Sequence, residues 1–291
     1  MNRIPYWLGV LLMAWTAAAP VRALADAGVL LEGYSTDGSI AYRGRGDAAG
    51  AGLRLEIGNH IFTVQVQSEG RLLAVRGRDR DTGATVRLAP AEADAIDALA
   101  NRLLAERPTL AATPGGRYLL RALNLLADWP PGLAVELLST RTTRLGADQA
   151  PMRPGPGAAL TSACDWPPPL GLSESLCARL GEQHPGDYIR LGLKVGELPF
   201  PPYSPVFYPL ACRDFSAVVG GSDPVSGCFG RCGRGCAGDG PPNNPLDIYT
   251  QNCFNHDGCV TARGLLDDYC NQMFVYAAPD FLFGTDCRAR P

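Results

Sequence analysis

The sequence predicts an α+β N-terminal domain, antiparallel strands followed by two helices, joined to a mainly α, disulfide-rich C-terminal domain built on an antiparallel helix pair. Three observations carry this. Apolar residues alternate with polar ones at Leu53, Leu55, Ile57 and again at Phe62, Val64, Val66, the period of a half-buried strand. The spacing then becomes helical at Ile96, Leu99, Leu103 and at Leu119, Leu123, Leu126. All ten cysteines lie at or beyond Cys164, so residues 1–163 hold none.

A chain of 291 residues that is 46% hydrophobic and 19% charged is too apolar for disorder. Its formal charge of −3, with Lys194 as its one lysine, excludes the basic footprint of a nucleic-acid binder. Met1-Asn2-Arg3, the apolar run Leu8–Ala19 and the small residues of Ala23-Leu24-Ala25 read as an export signal over residues 1–25. The run is too short to cross a bilayer, which needs roughly 20 residues. The expected location is secreted or periplasmic, where an even number of cysteines reads as bridges.

Within residues 26–145, Gly58-Asn59 joins two strands as a hairpin turn. A further strand pair is expected around Leu73 and Thr85–Leu88, before one helix after Pro90 and another between Gly116 and Pro130. His60 beside the hairpin turn reads as structural, and Asp79-Arg80-Asp81-Thr82-Gly83 reads as a turn, since its twelfth position is Leu88 where a calcium loop needs Glu. Little here resembles a site. Residues 146–163, rich in Pro and Gly, form the expected linker. Residues 164–291 form the second domain, with a strand at Tyr188–Val195, His184 in an exposed loop and an aromatic, Pro-rich run at 199–209.

The chemistry-bearing segment follows Cys228. Asn244-Pro245 is a helix start and Gly264 a stop; Leu265–Ala277 reads as a second, antiparallel helix. Cys259 and Cys270 stand nearly equidistant from the turn, so a bridge between them staples the pair. Cys253 and Asp257 share a helix face. A Cys232–Cys253 bridge would hold the glycine-rich loop on that face, where loop carbonyls and the Asp257 carboxylate could surround a hard cation such as calcium. His256 is then placed as a base in an adjacent cleft. The remaining expected pairings are Cys164–Cys177, Cys212–Cys228 and Cys236–Cys287.

These residues resemble the secreted phospholipase A2 superfamily. Cys232-Gly233-Arg234-Gly235 matches its Cys-Gly-x-Gly calcium loop, and Cys253, His256, Asp257 and Cys259 match its Cys-x-x-His-Asp-x-Cys helix. The resemblance implies that His256 is the general base, that Asp257 and the carbonyls of Arg231, Gly233 and Gly235 bind Ca2+, and that the Gly233 amide stabilises the oxyanion. The implied reaction is hydrolysis of the sn-2 acyl ester of phospholipids at a membrane or micelle surface.

One departure falls at the heart of the pattern. The position after Cys270, where the family carries an Asp that orients the imidazole, is Asn271; Asp267, Asp268 or Asp280 could serve in its place. Residues 164–291 hold nine basic and fourteen acidic side chains, so apolar contact through residues such as Phe200, Tyr203, Phe207 and Tyr208 is the expected drive to lipid. Other readings are a dinucleotide fingerprint at Gly233, Gly235 and Gly238, a zinc site from Cys228, Cys232, Cys236 and His256, and an inactive, disulfide-stapled module that binds lipid or protein. A precursor restrained by its N-terminal domain is a further one.

Overall fold

The computed structural model describes residues 28–69, 71–139, 172–190, 212–223, 227–235 and 247–289. The expected export segment 1–25, the expected linker 146–163 and the aromatic run 199–209 lie outside the described residues.

Strands β1 (Val29–Tyr34), β2 (Ile40–Asp47), β3 (Gly50–Ile57), β4 (His60–Gln67) and β5 (Leu72–Asp79) form an antiparallel meander. Gly58 supplies φ +54° in the two-residue turn, and Ile57 pairs with His60 as the register required. The Asp79–Gly83 segment is a turn, its Asp79 carboxylate accepting from the backbone N–H groups of Asp81 and Thr82. Residues 85–88 make isolated bridges rather than a strand. His60 Nδ1 lies 2.8 Å from Glu92, a structural link between sheet and helix.

Helices α1 (Pro90–Glu106), α2 (Thr109–Ala112) and α3 (Pro114–Ala127) follow, and the chain returns as β6 (Glu136–Ser139) beside β5. Pro114 opens α3, and the Thr113 hydroxyl accepts from the Gly116 N–H at 3.1 Å, satisfying an otherwise orphaned donor. One side of α3 lies on β2 and β3. A Cβ on Gly115 would come 2.2 Å from the carbonyl carbon of Gly46, so only glycine permits this approach.

In the C-terminal segment, β7 (Gln183–Arg190) pairs antiparallel with β8 (Cys212–Val218), and β9 (Ser222–Asp223) with β10 (Gly227–Cys228). Helices α4 (Gln251–Arg263) and α5 (Asp268–Phe283) form the expected antiparallel pair. His184 is not an exposed loop residue: it lies in β7, buried, with Nε2 on the Gln251 side chain and its ring edge-on to Phe254. Gly264, at φ +95°, ends α4 as expected. The start differs. Thr250 caps α4, because residues 248–250 form bridges with Asp286, Arg231 and Ser175. The second helix runs beyond Ala277, through Pro279, to Phe283, since Phe281 and Leu282 are drawn into the core.

The other side of α3 meets α5. Arg121 Nη1 donates to the carbonyls of Leu282 at 2.9 Å and Gly284 at 3.2 Å, filling acceptors at a helix end that have no intrahelical donor. Burial lowers the Arg121 pKa to about 10. Tyr118 contacts Phe283, and Trp129 contacts Phe274, both edge-on. The result is three layers, sheet, α1/α3 and α4/α5, with one continuous apolar core that takes Leu55, Leu119 and Trp129 together with Cys253, Phe274 and Phe281.

Three bridges are described. Cys232–Cys253 and Cys259–Cys270 form as expected, but Cys177 pairs with Cys287, which corrects both Cys164–Cys177 and Cys236–Cys287. The reason is in the backbone: Leu176 donates to the Tyr249 carbonyl and Cys287 to the Asp247 carbonyl, so both cysteines flank the 247–250 segment. Cys228 is bridged as well; the expected Cys212–Cys228 pairing involves a side chain outside the described residues.

Candidate functional site

The glycine loop, residues 227–235, is shaped by its own backbone before any ligand is considered. Gly227, Gly230, Gly233 and Gly235 all take positive φ, which side chains with a Cβ disfavour. Cys232 donates to the Ile248 carbonyl and Thr250 to the Gly230 carbonyl, so the loop runs beside the segment that leads into α4. The Cys232–Cys253 bridge then fixes it to the first turn of that helix. One turn later Asp257 Oδ2 accepts from the Gly230 N–H at 2.7 Å. Loop and helix are thus joined covalently and by a charge-assisted hydrogen bond.

His256 and Asp257 are both buried, with His256 Nδ1 3.5 Å from Asp257 Oδ1. Burial raises the Asp257 pKa above the usual carboxylate value; bonding to His256 and the Gly230 N–H opposes this. The His256 ring is edge-on to Phe274, 5.4 Å between centroids. Asn271 lies one turn before Phe274 on α5 and is only 4% exposed, yet its Oδ1 has no hydrogen-bond partner. No Asn271–His256 hydrogen bond forms among the described residues. Two of the other three carboxylates considered for that task are engaged elsewhere, and the third, Asp268, is exposed. Asp267 caps α5 and pairs with Arg263, while Asp280 accepts from the Ser173 backbone and hydroxyl.

The structure adds residues that the sequence did not single out, all from the N-terminal half. Asn124 on α3 donates to the Cys232 carbonyl, and a Cβ at Gly233 would lie 2.0 Å from its amide nitrogen. Asp128, one turn on, is pushed up to about 7 by burial, with the charge of His256 opposing and that of Asp257 reinforcing. Asp94 on α1 pairs with Arg234 of the loop. A signal existed for Asn124 and Asp128: with Arg121 they are the polar residues in and just after an otherwise apolar stretch from Leu119 to Ala127.

The Asp257 carboxylate, bonded to the loop through the Gly230 N–H, and the loop's backbone carbonyls are oxygen donors, the kind a hard cation takes. The loop also holds a positive group of its own. Arg231 Nη1 donates to the carbonyls of Arg234 at 2.8 Å and Gly235 at 2.7 Å, so these oxygens do receive positive charge. The zinc alternative is overturned, because Cys228 and Cys232 are bridged and have no thiolate to offer.

No curated protein and no solved structure matches the chain. Residues 212–290, which include the loop, α4 and α5, match a family described as Domain of unknown function (DUF8213).

Proposed function

We propose that the chain is an exported phospholipase A2-like hydrolase that cleaves the sn-2 acyl ester of phospholipids with Ca2+. The observation that carries this reading is the union of His256-Asp257 on α4 with the Cys232-Gly233-Arg234-Gly235 loop through Cys232–Cys253 and the Gly230–Asp257 hydrogen bond. Bridges support an oxidising compartment. Among the described residues no helix is long and apolar enough to cross a membrane.

In this mechanism a ring nitrogen of His256 takes a proton from water as the oxygen attacks the ester carbonyl carbon. The Gly233 N–H donates to the developing oxyanion. Collapse breaks the bond to the glycerol oxygen, which receives the proton from His256, and a fatty acid and a lysophospholipid result. Asp257 and the carbonyls of Arg231, Gly233 and Gly235 would hold calcium, which when bound polarises the ester carbonyl. The lipid surface or micelle is met through apolar contact.

The alternative, a catalytically weak or inactive module that binds lipid or protein, draws support from the unpaired Asn271 Oδ1 and from Asn124 seated against Gly233. The deciding experiment is fatty-acid release from phospholipid vesicles by the full chain, with and without calcium. Release that needs calcium and disappears in His256→Gln supports the enzyme. A folded chain that binds vesicles but releases nothing at any calcium concentration supports the module.

A further inference from the structure

Arg231 enters the family pattern only through its backbone carbonyl, as an expected calcium ligand. Its side chain does something separate. The residue is 6% exposed, and Nη1 donates to two loop carbonyls, those of Arg234 and Gly235. Gly235 O is itself an expected calcium ligand. A guanidinium is a cation, so one oxygen is claimed by two cations.

The other contacts of Arg231 show where the side chain can go. Nη2 stands 3.7 Å from Asp247 Oδ1, beyond hydrogen-bonding reach. Asp247 Oδ1 and Arg231 Nε are both buried without a hydrogen-bond partner. Asp247 Oδ2, by contrast, is bonded to Arg288. A buried carboxylate oxygen that lacks a donor, facing a guanidinium held back by carbonyls, is an incomplete ion pair. A small rotation would complete it and free Gly235 O.

We propose that the Arg231 guanidinium is a tethered cation that competes with calcium for the Gly235 carbonyl and, when displaced, closes on Asp247, so that Arg231 sets the calcium affinity of the loop. The proposal rests on reading the loop as a calcium site. Divalent charge beside a retained guanidinium is repulsive in a buried site, and displacement of the side chain subtracts from the binding free energy. Such a loop is suited to the high calcium levels met by extracellular modules.

The test is calorimetric measurement of calcium binding to the full chain in the absence of lipid, comparing wild type with Arg231→Gln. The variant removes the charge and keeps a short amide; it is expected to bind calcium at least about tenfold more tightly, or about 1.4 kcal/mol. If circular dichroism shows that Arg231→Gln does not fold, the paired variant Arg231→Met/Asp247→Asn removes both charges and carries the same expectation. Equal or weaker binding by the folded variant overturns the role of Arg231 and leaves the hydrolase reading intact. Failure of both proteins to bind calcium overturns the role and the calcium reading together. Tighter binding without fatty-acid release supports Arg231 and counts against the hydrolase alone.

Discussion

The side-chain amide of Asn124, on the helix between the sheet and the C-terminal pair, donates to the carbonyl of Cys232 at 3.0 Å, across a sequence separation of 108 residues. It ties the half of the chain without cysteines to the loop proposed to bind calcium. Asn124→Ala leaves a buried carbonyl without a donor and is expected to cost about 1–3 kcal/mol in urea unfolding. Gly233→Ala should cost more, because φ there is +115° and its Cβ would meet Asn124 at 2.0 Å. If both variants unfold at the wild-type urea concentration, the loop does not depend on this contact.

A fragment beginning near Cys164 should not fold as a soluble unit. Ile248, Cys253, Phe274, Ala277 and Phe281 share one apolar core with Leu119, Leu123 and Trp129, and removing the N-terminal half exposes that face to water. The expected result is aggregation, or loss of the cooperative transition in circular dichroism. A soluble, cooperatively unfolding fragment would show that residues 26–145 are dispensable to the core.

Stability should fall as pH rises from about 4 to about 7. Burial raises Asp280 from 3.8 to about 6, and Asp128 to about 7. In that window the native carboxyls hold protons that the unfolded ones have released, so folding binds protons and the slope is negative. Exposed Asp37, held down to about 2 by Ser35 and Ser39, and Glu56, Asp79 and Glu136, lowered by hydrogen bonds from Arg54, Thr82 and Arg78, act in the opposite direction, at the acid end of this window and below it. Asp128→Asn should flatten the decline between pH 6 and 7; thermal melts across pH with an unchanged slope would refute the assignment.

The bridges should differ in their worth. Cys177–Cys287 closes 110 residues and Cys259–Cys270 only 11. On loop-closure entropy alone these contribute about 5 and about 3 kcal/mol. Paired Cys→Ser variants, compared by thermal melting, should rank in that order.

Asn271→Asp tests the departure from the phospholipase pattern. The buried Oδ1 lacks a partner, and a carboxylate there could accept from the His256 ring and support imidazolium. If the proposed reaction operates, the variant should gain about tenfold or more in kcat, the direction known from acids that orient a catalytic histidine. A folded variant with unchanged kcat would show that Asn271 does not act through His256.

The features legible in the sequence were those written locally. Gly58-Asn59 specifies its own turn, Ile96, Leu99 and Leu103 their own helix face, and Gly264 its own stop, because each depends on backbone preference or periodicity within a few residues. Asn244-Pro245 is an equally clear start signal, yet α4 begins after Thr250, since pairing with Arg231, Ser175 and Asp286 holds 248–250 extended. The second helix likewise runs past its expected end at Ala277, because continuing through Pro279 buries Phe281 and Leu282. His256, Asp257 and the loop could be named from spacing. Asn124 and Asp128 could not be placed beside them, because that proximity arises only from packing α3 between two layers.

The Cys177–Cys287 bond makes the segment between those residues a covalent ring, inside which Cys232–Cys253 and Cys259–Cys270 form two smaller ones. A protease that cuts once anywhere from 178 to 286 therefore liberates no fragment. The nicked protein keeps the loop and both helices linked, and the damage becomes visible by size only after a reductant has opened the ring.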